Sequence, residues 1–129
     1  MASSSVEGNS LYTRLGGYDV IAAVVDEFSQ TFVSDPRVSR FVSGMNTERQ
    51  KRNRQLTVDY LCAASGGPVL YLGQDMKTAH AGLQIRTDEW NVAMEHVQRA
   101  IGKLNIPQVE GQELMALFLN SAGEVIERE

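Results

Sequence analysis

Apolar residues in this chain recur every three or four positions, stretch after stretch, and nowhere alternate convincingly with a period of two. That pattern predicts helices and leaves little material for a sheet, because one face of a helix repeats every 3.6 residues and one face of a strand every two. From Asp19 the series Val20, Ile21, Val24, Val25, Phe28 and Phe32 lies along one helical face and stops before Pro36. Thr87, followed by Asp88 and Glu89, opens a second long helix with Trp90, Ala93, Met94, Val97, Ile101 and Leu104 on one stripe, ended by Asn105 and Pro107. A last helix carries Leu114, Leu117, Phe118, Ala122 and Val125 inward. Between these lie shorter pieces. Ser10 caps a helix through Leu15 that Gly16-Gly17 ends, and Pro36 suits the first turn of a brief helix with Val38, Phe41 and Val42. Thr47 and Gln50 in "TERQ" have the form of a capping box for a helix running to about Ser65, where "GGP" breaks it. With no internal repeat and no linker, the expected fold is all-α.

The chain has 129 residues, enough for one core and not for two, so residues 11–129 read as one domain behind a disordered tail over residues 1–10. A formal net charge of -4 argues against nucleic acid as a partner, which needs a concentrated basic surface. The single cysteine, Cys62 in "DYLCAA", excludes a disulfide framework and any CxxC zinc knuckle and reads as a small buried hydrophobe. No apolar run reaches the length of a membrane span, and "MASSSVEGNS" is no signal peptide, so a cytoplasmic protein off the membrane is expected, as a monomer or weak homodimer.

Only two histidines are present, and they sit differently. In "YLGQDMKTAHAGLQI" Asp75 can cap a short helix on which Met76, Ala79, His80 and Leu83 share one face. An imidazole on an apolar face must find a hydrogen-bond partner, bind a metal or bear the cost of its burial. His96 lies about 120° around its helix from the Trp90–Val97–Leu104 stripe, at roughly 100° per residue, and reads as solvated.

Spacing excludes several chemistries. Lys77 and Ala93 stand three before the histidines, so there is no Glu-x-x-His pair for a di-iron bundle. Two histidines and one cysteine do not readily close a zinc site. A Cys62–His80 nucleophilic pair lacks an orienting residue and an oxyanion hole, and no phosphate loop is present. One histidine among aromatics, aliphatics and methionines suits a large flat apolar cofactor whose metal takes a single protein ligand.

The segments "LYTRLGGYDVIAAVVDEF", "SDPRVSRFVSG", "AASGGPVLYLGQDMKTAHAGLQI" and "KLNIP", in this order over roughly Leu11 to Val125, resemble a truncated haemoglobin of the first group. Three glycine signals stand at the expected intervals: Gly16-Gly17, Gly66-Gly67 and "YLGQDM" before the histidine. The resemblance implies a shortened globin, a two-over-two helical sandwich around a haem b, with His80 as the proximal iron ligand. It also places Met76 and Leu83 beside the macrocycle, Phe41, Val42, Leu61, Ile85, Trp90 and Val97 as pocket walls that read equally as core, and Lys77 near the propionates.

On the distal side the chain departs from that family. Ser29 in "DEFSQTF" stands where members of the group usually carry a tyrosine that holds bound oxygen, and "SGMNTERQKRNRQLTVDYL" is about three residues longer than usual. Counting back from Gly66 turns Asn53 and Thr57 toward the iron; counting forward from Phe41 favours Gln50 or Arg54. The backward count is preferred, because an insertion is better tolerated in a loop than in a helix. The implied function is binding of a diatomic gas, oxygen or nitric oxide, with nitric oxide dioxygenation or redox work served by a reductase as extensions. The alternative is a globin-shaped sensory or interaction module without ligand chemistry.

Overall fold

In the computed structural model, residues 9–129 are described; of the expected tail only Asn9 and Ser10 fall inside that range. Among these residues seven α-helices follow in order: α1 Leu11–Leu15, α2 Tyr18–Phe32, α3 Thr47–Ala64, α4 Met76–His80, α5 Thr87–Lys103, α6 Gln108–Leu119 and α7 Ala122–Val125, with a 3-10 turn at Ser39–Phe41. Among the described residues there is no strand, only an isolated bridge between Arg86 and Arg128. The all-α reading holds.

The two-over-two sandwich is built on α2, which packs on both α3 and α5, while α6 lies against α5 and α1. The expected α2 stripe is the centre of the core: Ile21, Val24 and Val25 meet Val58, Leu61 and Cys62 from α3, Val97, Ala100 and Ile101 from α5 and Leu114 from α6. Ile21, Leu61 and Leu114 are each 1% exposed, and burying a side chain of that size stabilises by about 1.5–3 kcal/mol. Cys62 is fully buried, and burial pushes its thiol above the ordinary range, so it is a packing residue and a poor nucleophile.

Helix ends follow local chemistry. Ser10 accepts the Thr13 amide at 3.2 Å, and α1 stops at Gly16, whose φ of 112° requires a residue without Cβ. Further on, a Cβ on Gly67 would collide with the Tyr12 ring, so that glycine allows the α3–α4 loop to close over α1. Three boundaries differ from expectation. The α3 cap is Asn46, whose Oδ1 accepts the Arg49 amide at 2.8 Å, and Thr47 is already helical. Likewise α2 begins at Tyr18, one residue before the expected Asp19, whereas α5 begins at Thr87 as expected, with Arg86 as its cap and the Glu89 carboxylate accepting the Arg86 amide at 3.0 Å. The single last helix is two, α6 and α7, broken at Asn120–Ser121.

Candidate functional site

The α4 helix is a single turn, and its cap is the expected one: Asp75 accepts the Thr78 amide at 3.3 Å. Thr78 holds the Asp75 carboxyl below the usual carboxylate range, so the cap stays ionised at neutral pH. His80 is the last helical residue. Its Nδ1 lies 2.8 Å from the Met76 carbonyl. A carbonyl can only accept, so Nδ1 carries the hydrogen, and in the neutral ring the lone pair is left on Nε2. A backbone carbonyl fixing one ring nitrogen is the arrangement that frees the other for a metal.

The loop after His80 is held from the far end of the chain. Glu127 accepts the Gly82 amide at 3.0 Å and the Gln84 amide at 2.8 Å. These two amides keep the Glu127 carboxyl below the ordinary glutamate range. Gln84 sits at φ 56°, a left-handed conformation uncommon for a side-chain-bearing residue, and the contact with Glu127 over-determines it. From the other side Arg40 reaches the Leu83 and Gln84 carbonyls at 3.4 and 3.3 Å and the nearly buried Glu89 carboxylate at 3.0 Å, while its guanidinium lies 4.0 Å above the Phe41 ring. Leu83 therefore belongs to a pinned loop and not to the helix: Ala81 is extended and Gly82 has φ 86°, which end α4 at His80.

Beside His80 opens a cavity of about 1130 Å³. Ligand pockets commonly range from about 300 to 1,000 Å³. Phe41, Val42, Leu61, Met76, Leu83, Ile85, Trp90 and Val97 all line it together with His80. Lys77 does not. Across the cavity runs one face of α3: Arg49, Arg52, Asn53, Leu56, Thr57, Tyr60 and Leu61, spaced by three and four. Asn53 donates its amide to Met45 Sδ at 3.2 Å, and Thr57 donates its hydroxyl to the Asn53 carbonyl at 2.8 Å.

Ser29, Gln50 and Arg54 border a second cavity of about 380 Å³ and not the large one, and Asn53, Thr57, Val42 and Met45 form walls of both. Arg54 is turned away by Asp26, which it meets at 2.6 and 3.0 Å. Of the residues the two counts single out, Asn53 and Thr57 lie on the large cavity and Gln50 and Arg54 do not.

Haem fits this donor set. Among the described residues no group of three or more His, Cys, Asp or Glu side chains can hold a metal alone. A metal here would have to bring most of its own ligands, and a porphyrin iron needs only one from the protein. The profile of the bacterial-like globins matches residues 10–126. The chain belongs to that family.

Within it, this globin resembles the group 1 truncated haemoglobins. It is 29% identical over 119 residues to the group 1 truncated hemoglobin GlbN of Mycolicibacterium paratuberculosis, covering 92% of this chain and 85% of the relative. Identity to the group 1 truncated hemoglobin LI410 of Chlamydomonas moewusii is 30% over 119 residues, with coverage of 91% and 68%. The Fe(III) truncated hemoglobin of Tetrahymena pyriformis has the same fold, with a TM-score of 0.82 at 22% identity over 92% of this chain and 98% of that one. Membership brings haem-based ligand binding as the general activity of the family.

The globin's second histidine corrects an expectation. His96 is not solvated: its side chain is 12% exposed, with Nε2 2.8 Å from Asp35 Oδ2 and Nδ1 2.8 Å from Thr31 Oγ1. Phe28 and Phe32 meet its ring edge-on at centroid distances of 6.4 and 6.1 Å. The ring ties α5 to the end of α2. Asp35 itself is held well below the carboxylate range, first by Arg37 and then by His96. Sequence reasoning also missed Met45, Arg49, Arg52 and Tyr60 as cavity residues; three of these follow from helical spacing once Asn53 and Thr57 are placed.

Proposed function

We propose that this globin binds a diatomic gas, oxygen or nitric oxide, at a haem b whose iron is held by His80. The observation that carries the reading is the His80 Nδ1–Met76 carbonyl bond, which leaves the Nε2 lone pair as the imidazole's free donor beside the large cavity. Bound there, a haem would supply an iron able to bind a gas, with His80 as the residue that would hold it. Met76, Ile85 and Trp90 keep that side apolar, and the Glu127 and Arg40 contacts hold the loop that follows the histidine. Opposite, Asn53 and Thr57 are the polar groups nearest the middle of the α3 face. A buried donor to a partly anionic ligand is worth about 1–3 kcal/mol. Serine at position 29 supplies a shorter group than a phenol, and it borders the second cavity. This arrangement supports gas exchange over tight storage. Nitric oxide dioxygenation, in which oxygen and nitric oxide would become nitrate with one electron from ferrous iron, and re-reduction of the ferric iron by a reductase are the extensions this reading admits.

Titration of the apo-chain with hemin tests it. The expected result is a Soret band saturating at one hemin per chain and a carbon monoxide adduct after reduction. A chain that takes up no hemin would instead be the globin-shaped interaction module.

A further inference from the structure

Of the twelve cations, seven are ion-paired and five form no ion pair among the described residues; Lys77 and Arg128 stand singly and the other three are clustered. Arg14, Arg37, Arg40, Arg54 and Arg86 each hold a carboxylate within 3.0 Å, and Arg99 and Lys103 share Glu27 within 3.9 Å. Arg49, Lys51 and Arg52, packed into the first two turns of α3, form no ion pair among the described residues, and all three are exposed. Their position opposes local helix energetics. The amino end of a helix carries the positive end of its dipole, which disfavours cations, and Arg49 and Arg52 are a like-charged pair three residues apart. A cluster that the helix itself disfavours, on a molecule of net charge -4, calls for an anionic partner from outside. Its place is specific as well: Arg49 and Arg52 border the large cavity and Lys51 the second one.

We propose that the first two turns of α3 are a docking site for the acidic face of an electron-carrier protein seated across the mouth of the large cavity. The class of partner rests on the gas-binding reading, since a haem protein that turns over needs an electron donor at that mouth. The segment "TERQKRN" has no apolar side chain to insert into lipid, and Glu48 interrupts its positive charge. Both features fit the patterned surface of a protein better than a uniformly anionic bilayer.

Flavodoxin, an acidic carrier, is the probe, with basic cytochrome c as control and vesicles rich in anionic lipid as a third arm. Binding is measured by calorimetry on the hemin-loaded chain at low and moderate salt. Raising ionic strength from about 20 to 200 mM weakens flavodoxin binding by about tenfold, and Arg49→Glu with Arg52→Glu weakens it by at least about tenfold at low salt. The milder Arg49→Gln with Arg52→Gln falls between, with helix content unchanged by circular dichroism. Unchanged affinity in both variants, equal binding of cytochrome c, or tighter binding to vesicles than to flavodoxin overturns the proposal. So does faster hemin loss with flavodoxin binding intact, which would make these arginines partners of the cofactor's own carboxylates. A chain that binds no hemin yet binds flavodoxin through these residues would refute the gas-binding reading and leave the docking site standing.

Discussion

The two walls of the large cavity are built by opposite means. The wall around His80 is one helical turn and the four residues Ala81 to Gln84 after it, too short to hold itself, and it is fixed from outside by Glu127, Arg40 and the apolar cluster of Ile85, Trp90 and Val125. The facing wall is an 18-residue helix packed along α2, and its first two turns leave Arg49, Lys51 and Arg52 exposed. On the proposed gas-binding reading, the fixed wall is the one whose histidine would hold the iron, and the other is the one a small ligand would pass. On this account, damage to the first wall loses the cofactor, whereas changes on the second alter how ligand comes and goes.

The largest expected effect is His80→Ala. Groups that merely orient a metal ligand are worth about 10–100-fold in affinity, so loss of the ligand itself should raise hemin dissociation by more than about a hundredfold. Transfer of hemin to excess apomyoglobin measures it. Next comes His96→Ala, which removes the Thr31 and Asp35 contacts that tie α5 to α2. Melting should fall by about 3–10 °C while hemin loss stays within about twofold of the original chain. Comparable hemin loss in the two variants would erase the distinction between the walls.

On the distal side, Ser29→Tyr should slow oxygen release by about tenfold, the equivalent of about 1.4 kcal/mol. The phenol would extend from the second cavity toward Asn53 and Thr57, which wall both cavities. Stopped-flow displacement gives the rate, and carbon monoxide association checks for crowding. An unchanged release rate would mean the two cavities do not communicate through that wall.

The smallest effect concerns Glu127. Its carboxyl is depressed in the folded chain, so the contact is complete above the ordinary glutamate value of about 4.3 and is lost as pH falls through the lower folded value. Hemin retention should be flat from neutral pH to about pH 5 and fall below about pH 4, and Glu127→Gln should lose hemin a few-fold faster at pH 7 with a weaker acid dependence. A variant with the original pH profile would show that the loop is held by other contacts.

Local signals in the sequence were enough for two helix caps and the centre of the core. Asp75 and Ser10 cap their helices as their chemistry predicts, and the Ile21–Val24–Val25 stripe is the core that its spacing requires. What stayed hidden depends on distance along the chain. His96 looks solvated from its own helix because Asp35 and Thr31 lie 61 and 65 residues away, and Arg54 looks like a distal candidate until Asp26, 28 residues back, claims it. Thr47 is the expected cap of α3 and Asn46 the observed one, because both residue types can cap and they are adjacent. The break between α6 and α7 escaped notice because Leu117, Phe118, Ala122 and Val125 keep helical spacing across Asn120–Ser121.

The central claim is that His80 Nε2 is the protein's bond to the iron. The most direct measurement is the iron–histidine stretching band in the resonance Raman spectrum of the reduced, ligand-free protein, recorded for the original chain and for His80→Gly with and without added imidazole. The account predicts a band in the original chain, its absence in His80→Gly, and its return when imidazole fills the space left by the side chain. A band that persists in His80→Gly without imidazole would place another residue on the iron and contradict the account.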